Sequence, residues 1–182
     1  MGTAATNRWT DPERASSRRH VKELNSSSAA RASSPPPACR LTSVYLLDTN
    51  VISELRRARP HKAVVAWLRN IPDADLHLSA VTIGELQAGV EAARETDPRK
   101  AAEIEDWLDR VAGTWNVVPM DAPTFRCWAR LMHGRSDDVI EDAMIAATAQ
   151  IHNLIVVTRN IRDFKRLGVR TLNPFDLPET SR

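Results

Sequence analysis

The sequence predicts an α/β protein: a buried parallel sheet with helices on both faces. Three observations predict it. Val44-Tyr45-Leu46-Leu47 and Leu154-Ile155-Val156-Val157-Thr158 are short apolar runs without polar alternation, which suits strands covered on both sides. Segments with helical apolar spacing alternate with these and other strand-like runs, a pattern that requires crossover connections and so parallel pairing. Both runs end in a polar triplet, Asp48-Thr49-Asn50 and Thr158-Arg159-Asn160. Open α/β sheets gather their ligands at that strand edge.

The remaining elements follow in order. After the first strand, Asn50–Arg59 has helical character, with Asn50 able to cap it and Val51, Ile52 and Leu55 on one face. Pro60 ends it. His61–Asn70 reads as a second helix and Leu76–Ala80 as a second strand. Thr82–Arg94 is strongly helical: Ile83, Leu86 and Val90 recur at helical spacing, and Thr82 with Glu85 forms a capping-box pattern. Pro98–Gly113 is another helix, with proline suited to its first turn and glycine to its end. Asn116–Met120 is a third strand and Ala122–Met132 a helix, followed by a polar loop over His133–Asp138. Val139–His152 is an Ala-rich helix leading into Leu154–Thr158. A short helix at Arg162–Leu167 and an edge strand at Val169–Leu172 close the fold.

The expected organisation is an extension over 1–43, one domain over 44–176 and a tail over 177–182. The extension is rich in Ser, Ala and Pro between Asn25 and Arg40 and has little to bury, so it reads as disordered. It carries seven Lys/Arg against three Asp/Glu, while the rest carries 18 against 20. The basic pI of 8.8 therefore comes from the extension and does not mark the domain as a nucleic-acid binder. Two cysteines without CxxC or Cys/His spacing argue against zinc and suit a reducing cytoplasm. No apolar run approaches the roughly 20 residues that span a bilayer, so no membrane association is expected.

Four carboxylates have a structural reason to converge. Asp48 ends the first strand, Glu85 lies early in the helix after the second, Asp142 opens the Ala-rich helix, and Asp163 follows the fourth strand. In a parallel sheet, strand carboxyl ends and helix amino ends share one edge. Crowded carboxylates repel unless they protonate or a cation binds. Hard oxygen donors select Mg²⁺ or Mn²⁺, which can polarise a phosphodiester and activate water. Each acid also has a plainer role. Asp48 could cap the next helix, Glu85 could complete the capping box with Thr82, and Asp142 competes with Asp137, Asp138 and Glu141 for the helix dipole. Asp163 could be a solvated turn residue. Asn50, Ser79, Thr158 and Asn160 stand ready to orient these acids. Arg56, Arg57, Arg159 and Arg162 flank the cleft and suit a phosphodiester backbone, or equally solvated helix faces. No Gly-rich phosphate loop, Ser-His-Asp order or histidine pair appears.

Four segments then point to a family. Tyr45–Leu55 (YLLDTNVISEL) resembles the opening motif of PIN-domain ribonucleases, above all the VapC toxins, including FitB-like members, of bacterial toxin–antitoxin pairs. Ser79–Gly89, Glu141–Ala149 and Val156–Phe164 resemble the family's second, third and fourth motifs, in the right order. The resemblance implies a three-layer fold with strand order 3-2-1-4-5, Mg²⁺- or Mn²⁺-dependent endoribonuclease activity, homodimers, and inhibition by a cognate antitoxin. It implies that Asp48, Glu85 and Asp142 are metal ligands, with Asp163 or Asn160 in a fourth, more variable role. Grooves of this kind take amphipathic helices, and the apolar residues of Val64–Leu68 are expected to be exposed for one. Two rivals are a non-catalytic PIN-like binding module, whose mark would be a missing acid, and a phosphatase with Asp48 as nucleophile. Asn50 stands where such phosphatases commonly carry a second Asp.

Overall fold

The computed structural model describes residues 43–178. The expected extension lies outside the described residues except for Ser43, as do residues 179–182 at the other end of the chain.

Five strands carry the fold: β1 (Tyr45–Leu47), β2 (Leu76–Ser79), β3 (Asn116–Val118), β4 (Ile155–Val157) and β5 (Thr171–Leu172). They form one parallel sheet in the order β3-β2-β1-β4-β5, so β1 is central. Leu46 pairs with His77 on one side and Val156 on the other. The main-chain N–H of Asp48 donates to the Val157 carbonyl at 3.0 Å, carrying the β1–β4 ladder one residue beyond the strand. That extra rung fixes Asp48 against the end of β4.

The helices are α1 (Thr49–Ile52), α2 (Lys62–Asn70), α3 (Ala80–Thr96), α4 (Pro98–Thr114), α5 (Ala122–Met132), α6 (Ile140–Ile151) and α7 (Ile161–Arg166). Side chains alternate across a strand, so neighbours on β1 serve opposite layers. Leu46 packs with Val156 against Ala143, Ile145, Ala146 and Ala149 of α6 and Phe164 of α7. Tyr45, on the opposite face from Leu46, meets Trp67 of α2 edge-on at 5.1 Å between ring centroids. The alanines of α6 let its backbone lie close to the sheet, and this brings its first turn, with Asp142, to the carboxyl edge.

Two local expectations change. The single helix expected over Asn50–Arg59 is a short α1 followed by a 3₁₀ turn at Ser53–Arg56. Asp48, not Asn50, caps it: its Oδ1 accepts the Thr49 N–H at 2.7 Å. The 3₁₀ turn carries Glu54 inward, where its carboxylate accepts the His61 main-chain N–H at 3.1 Å. The second change concerns α2. Val64 and Leu68 are fully buried, so they belong to the core and are not an exposed docking face. Among the described residues, no helix is long and apolar enough to cross a membrane.

Candidate active site

The two polar triplets at the ends of β1 and β4 interlock. Oδ2 of Asp48 accepts from Asn50 Nδ2 at 2.5 Å and from Thr158 Oγ1 at 2.6 Å. The Thr158 hydroxyl in turn accepts from Asn50 Nδ2 at 3.0 Å and from the Asn160 N–H at 2.8 Å. Asn50 Oδ1 accepts the Arg159 N–H at 3.1 Å. A buried polar group is costly unless bonded, and here the side chains of one strand end satisfy those of the other.

The other acids hang on this frame. Thr49 Oγ1 donates to Glu85 Oε2 at 2.5 Å, tying α3 to the first triplet. Asn160 Nδ2 donates to Asp142 Oδ2 at 3.3 Å, tying α6 to the second. Burial raises all three carboxyl groups above their ordinary values. For Asp48, burial outweighs the hydrogen bonds from Thr158, Thr49 and Asn50 that favour its charged form. For Glu85, burial dominates, the Thr49 bond opposes it, and the charges of Asp48, Asp142 and Glu141 add to the rise. Asp142 is pushed up to about 6, by burial first and then by the charges of Asp48, Asp163 and Glu141. The charge of Asp48 thus reaches both Glu85 and Asp142, as expected for carboxylates that share one sheet edge. Asp163 is close enough to act on Asp142, and its own side chain lies 3.5 Å from Arg166 Nη1.

A model of the PIN domain family matches residues 45–169, nearly the whole span from β1 to the approach to β5. This chain belongs to the PIN-domain family. Its relatives include Toxin FitB of Neisseria gonorrhoeae, 36% identical over 142 residues, which cover 72% of this chain and 99% of FitB. VapC ribonuclease Y4jK of Sinorhizobium fredii is 40% identical over 141 residues, 73% of this chain and 99% of that protein. Among solved structures, FitAcB from Neisseria gonorrhoeae superposes with a TM-score of 0.64 at 35% identity, covering 74% of this chain and all of the matched chain.

Several side chains of this PIN domain take roles that the sequence left open. Ser79 caps α3, its Oγ accepting the Val81 N–H at 3.2 Å. The capping box of Thr82 and Glu85 is therefore not formed. Thr82 lies inside the helix: it is buried and its hydroxyl has no partner among the described residues, while Glu85 turns to Thr49. Of the basic residues expected near the cleft, Arg57 and Arg159 pair with buried Glu54 at 3.0 and 3.4 Å. Arg159 also stacks over Phe175, 3.9 Å from its ring centroid. Arg56 is exposed and Arg162 is exposed in the first turn of α7.

Sequence reasoning missed Thr49 and Glu54. Thr49 sat in plain view inside the first triplet, but its partner is 36 residues away. Glu54 carried one usable signal: it lies between Val51-Ile52 and Leu55, where a solvated charge does not belong.

Proposed function

We propose that this PIN domain is the toxin of a toxin–antitoxin pair, a divalent-cation-dependent endoribonuclease that hydrolyses RNA phosphodiester bonds. One observation carries the reading. Carboxylates from three elements, Asp48 after β1, Glu85 on α3 and Asp142 on α6, meet at one sheet edge with their pKa values raised by burial and, for Glu85 and Asp142, by neighbouring charges. Such an arrangement is unfavourable without a cation and serviceable with one. The names of the relatives supply the reaction class and setting: a toxin, a VapC ribonuclease, and FitAB bound to a DNA fragment.

The donor chemistry fits Mg²⁺ or Mn²⁺, since the side chains offered are carboxylates. Among the described residues, no three acidic, His or Cys side chains close around a single point. The ion would therefore take one or two of Asp48, Asp142 and Glu85 and fill its other positions with water and RNA phosphate, the habit of Mg²⁺. When bound, it supplies charge stabilisation at the phosphate and a more acidic attacking water. The chain's own residues do the positioning. Thr158, Asn50 and the Thr49 N–H hold Asp48 rigidly, so its carboxylate is oriented before substrate arrives. Thr49 and Asn160 do the same for Glu85 and Asp142. Asp163, at the rim, orients the attacking water or takes its proton.

The working unit is residues 44–176, as the family match over 45–169 supports. It acts in the cytoplasm as a homodimer, restrained by an antitoxin. Mapping cut ends in total cellular RNA tests the activity. The wild type gives discrete new ends and Asp48→Ala gives none; identical ends from both overturn the assignment.

The raised Asp142 sets a pH dependence. Protons compete with the cation for a carboxyl group that titrates at about 6. At a fixed, subsaturating Mn²⁺ concentration, cleavage therefore rises as pH climbs through about 6 and levels off above it. A flat rate profile between about pH 5 and 8 contradicts this role for Asp142.

A further inference from the structure

Beside the acids, the loop between α5 and α6 and the end of α7 enclose an open cleft of about 330 Å³. That is the low end of the range for ligand sites, roughly 300–1,000 Å³. Arg135, Ser136 and Asp138 line it from the loop, and Asp163 and Arg166 line it from α7. Gly134, at φ +72, makes the left-handed turn that starts the loop, a conformation that costs glycine little.

The two arginines differ in how they are held. Arg135 is pinned: its Nε donates to the Leu131 carbonyl at 2.8 Å and its Nη2 to the Arg166 carbonyl at 3.0 Å. Those bonds fix the guanidinium between the ends of α5 and α7 and leave its charge unneutralised, since main-chain carbonyls carry none. Arg166 reaches Asp163 at 3.5 Å, but both side chains are substantially exposed. An exposed pair of this kind is weakly held and is readily exchanged for another anion. Arg57 and Arg159, by contrast, are already paired with Glu54.

We propose that this cleft is a subsite for the RNA strand, in which Arg135 and Arg166 hold a backbone phosphate next to the scissile bond. The inference rests on the ribonuclease reading and adds where the strand runs. An edge crowded with carboxylates repels RNA, so productive binding needs cationic groups close by. Asp163 belongs to both places: it lines the cleft and adds its charge to that felt by Asp142. A strand entering the cleft thus arrives directly at the acids. A guanidinium fixed before binding loses little freedom on binding, and Nη1 of Arg135, outside those carbonyl bonds, is the donor left for a phosphate. As Arg166 turns to the phosphate, it releases Asp163 for its work at the rim.

The test is the affinity of a fluorescent 12-nucleotide RNA of mixed sequence, measured in Ca²⁺ over a series of salt concentrations. Wild type, Arg135→Ala, Arg135→Gln and the Arg135→Ala/Arg166→Ala double variant are compared. Arg135→Gln keeps a donor for the main-chain carbonyls and lacks the charge, so it separates lost charge from lost loop structure. We expect a Kd about tenfold weaker for either single variant and about 100-fold weaker for the double. The salt slope should fall by about one for each arginine that no longer meets a phosphate. Wild-type affinity and slope in Arg135→Gln overturn the subsite, as does weaker binding with an unchanged slope. If the wild type cuts RNA in Mn²⁺ and its variants bind as it does, only the subsite fails. If the wild type neither binds nor cuts RNA, the ribonuclease reading fails and the subsite with it.

Discussion

Asp142→Asn is expected to abolish RNA cleavage, by about 10³-fold or more, equivalent to about 4 kcal/mol of lost transition-state stabilisation. In cation-free buffer near neutral pH, the same change raises the melting temperature. The two effects share a cause. The Asp142 carboxyl is pushed up to about 6 from an ordinary 3.8 by burial and by the neighbouring charges of Asp48, Asp163 and Glu141. Between those values the folded chain holds a proton that the unfolded chain has released. The stability this group contributes is therefore fully present below about pH 4 and is lost as pH rises through about 6. Near neutrality its charge is a net cost, which Asn removes while keeping the shape and a partner for Asn160. Because the side chain is half-buried, solvent screens part of that cost. A gain of a few degrees is expected, the size that ~1 kcal/mol produces in a chain of this length. The gain should disappear at about pH 4, where the wild-type carboxyl is neutral as well. Thermal melts of both proteins in EDTA at the two pH values check it. A lower melting temperature for Asp142→Asn near neutrality contradicts the reading of Asp142 as a charge held in place for function.

Asp48→Ala is expected to abolish cleavage too, by a similar factor of about 10³, and to destabilise the fold. Asp48 is 5% exposed and is the shared acceptor for the Thr49 N–H, Asn50 Nδ2 and Thr158 Oγ1. Truncation leaves these donors without their acceptor, and a buried group so stranded costs about 1–3 kcal/mol. Relief of the buried charge offsets part of this, so a net loss of about 1–2 kcal/mol is expected, read as a lower denaturation midpoint with an unchanged m-value. The opposite signs at Asp48 and Asp142 distinguish an acid that knits two strand ends together from one that only waits for its cation. Equal melting shifts of the same sign in the two variants would remove that distinction.

Much of the fold is legible in the sequence, for a physical reason. Strands covered on both faces must be apolar throughout, so Tyr45–Leu47 and Ile155–Val157 stand out, and the first polar residues after each mark the carboxyl edge. Periodicity alone does not order strands; the 3-2-1-4-5 arrangement comes from the likeness of four motifs to the family. Pairings between distant residues are not legible. Glu85 stands three residues after Thr82, a spacing that suits a local capping box, and only the approach of Thr49 in space shows which partner prevails. Arg159 looks like a free cation in the sequence because Glu54 lies 105 residues earlier. Arg135 is inconspicuous for a related reason: an arginine in a polar loop is ordinary until carbonyls from two different helices fix it.

The central claim is that the sheet edge carrying Asp48, Glu85 and Asp142 binds a divalent cation, with Asp142 among its ligands, and that this cation drives RNA cleavage. Titration of metal-stripped wild-type protein with Mn²⁺, followed by calorimetry and by cleavage of an RNA oligonucleotide in the same samples, tests it most directly. Saturable Mn²⁺ binding should appear together with cleavage, and both should vanish in Asp142→Asn. Cleavage at full rate in excess EDTA, or undiminished Mn²⁺ binding by Asp142→Asn, would contradict it.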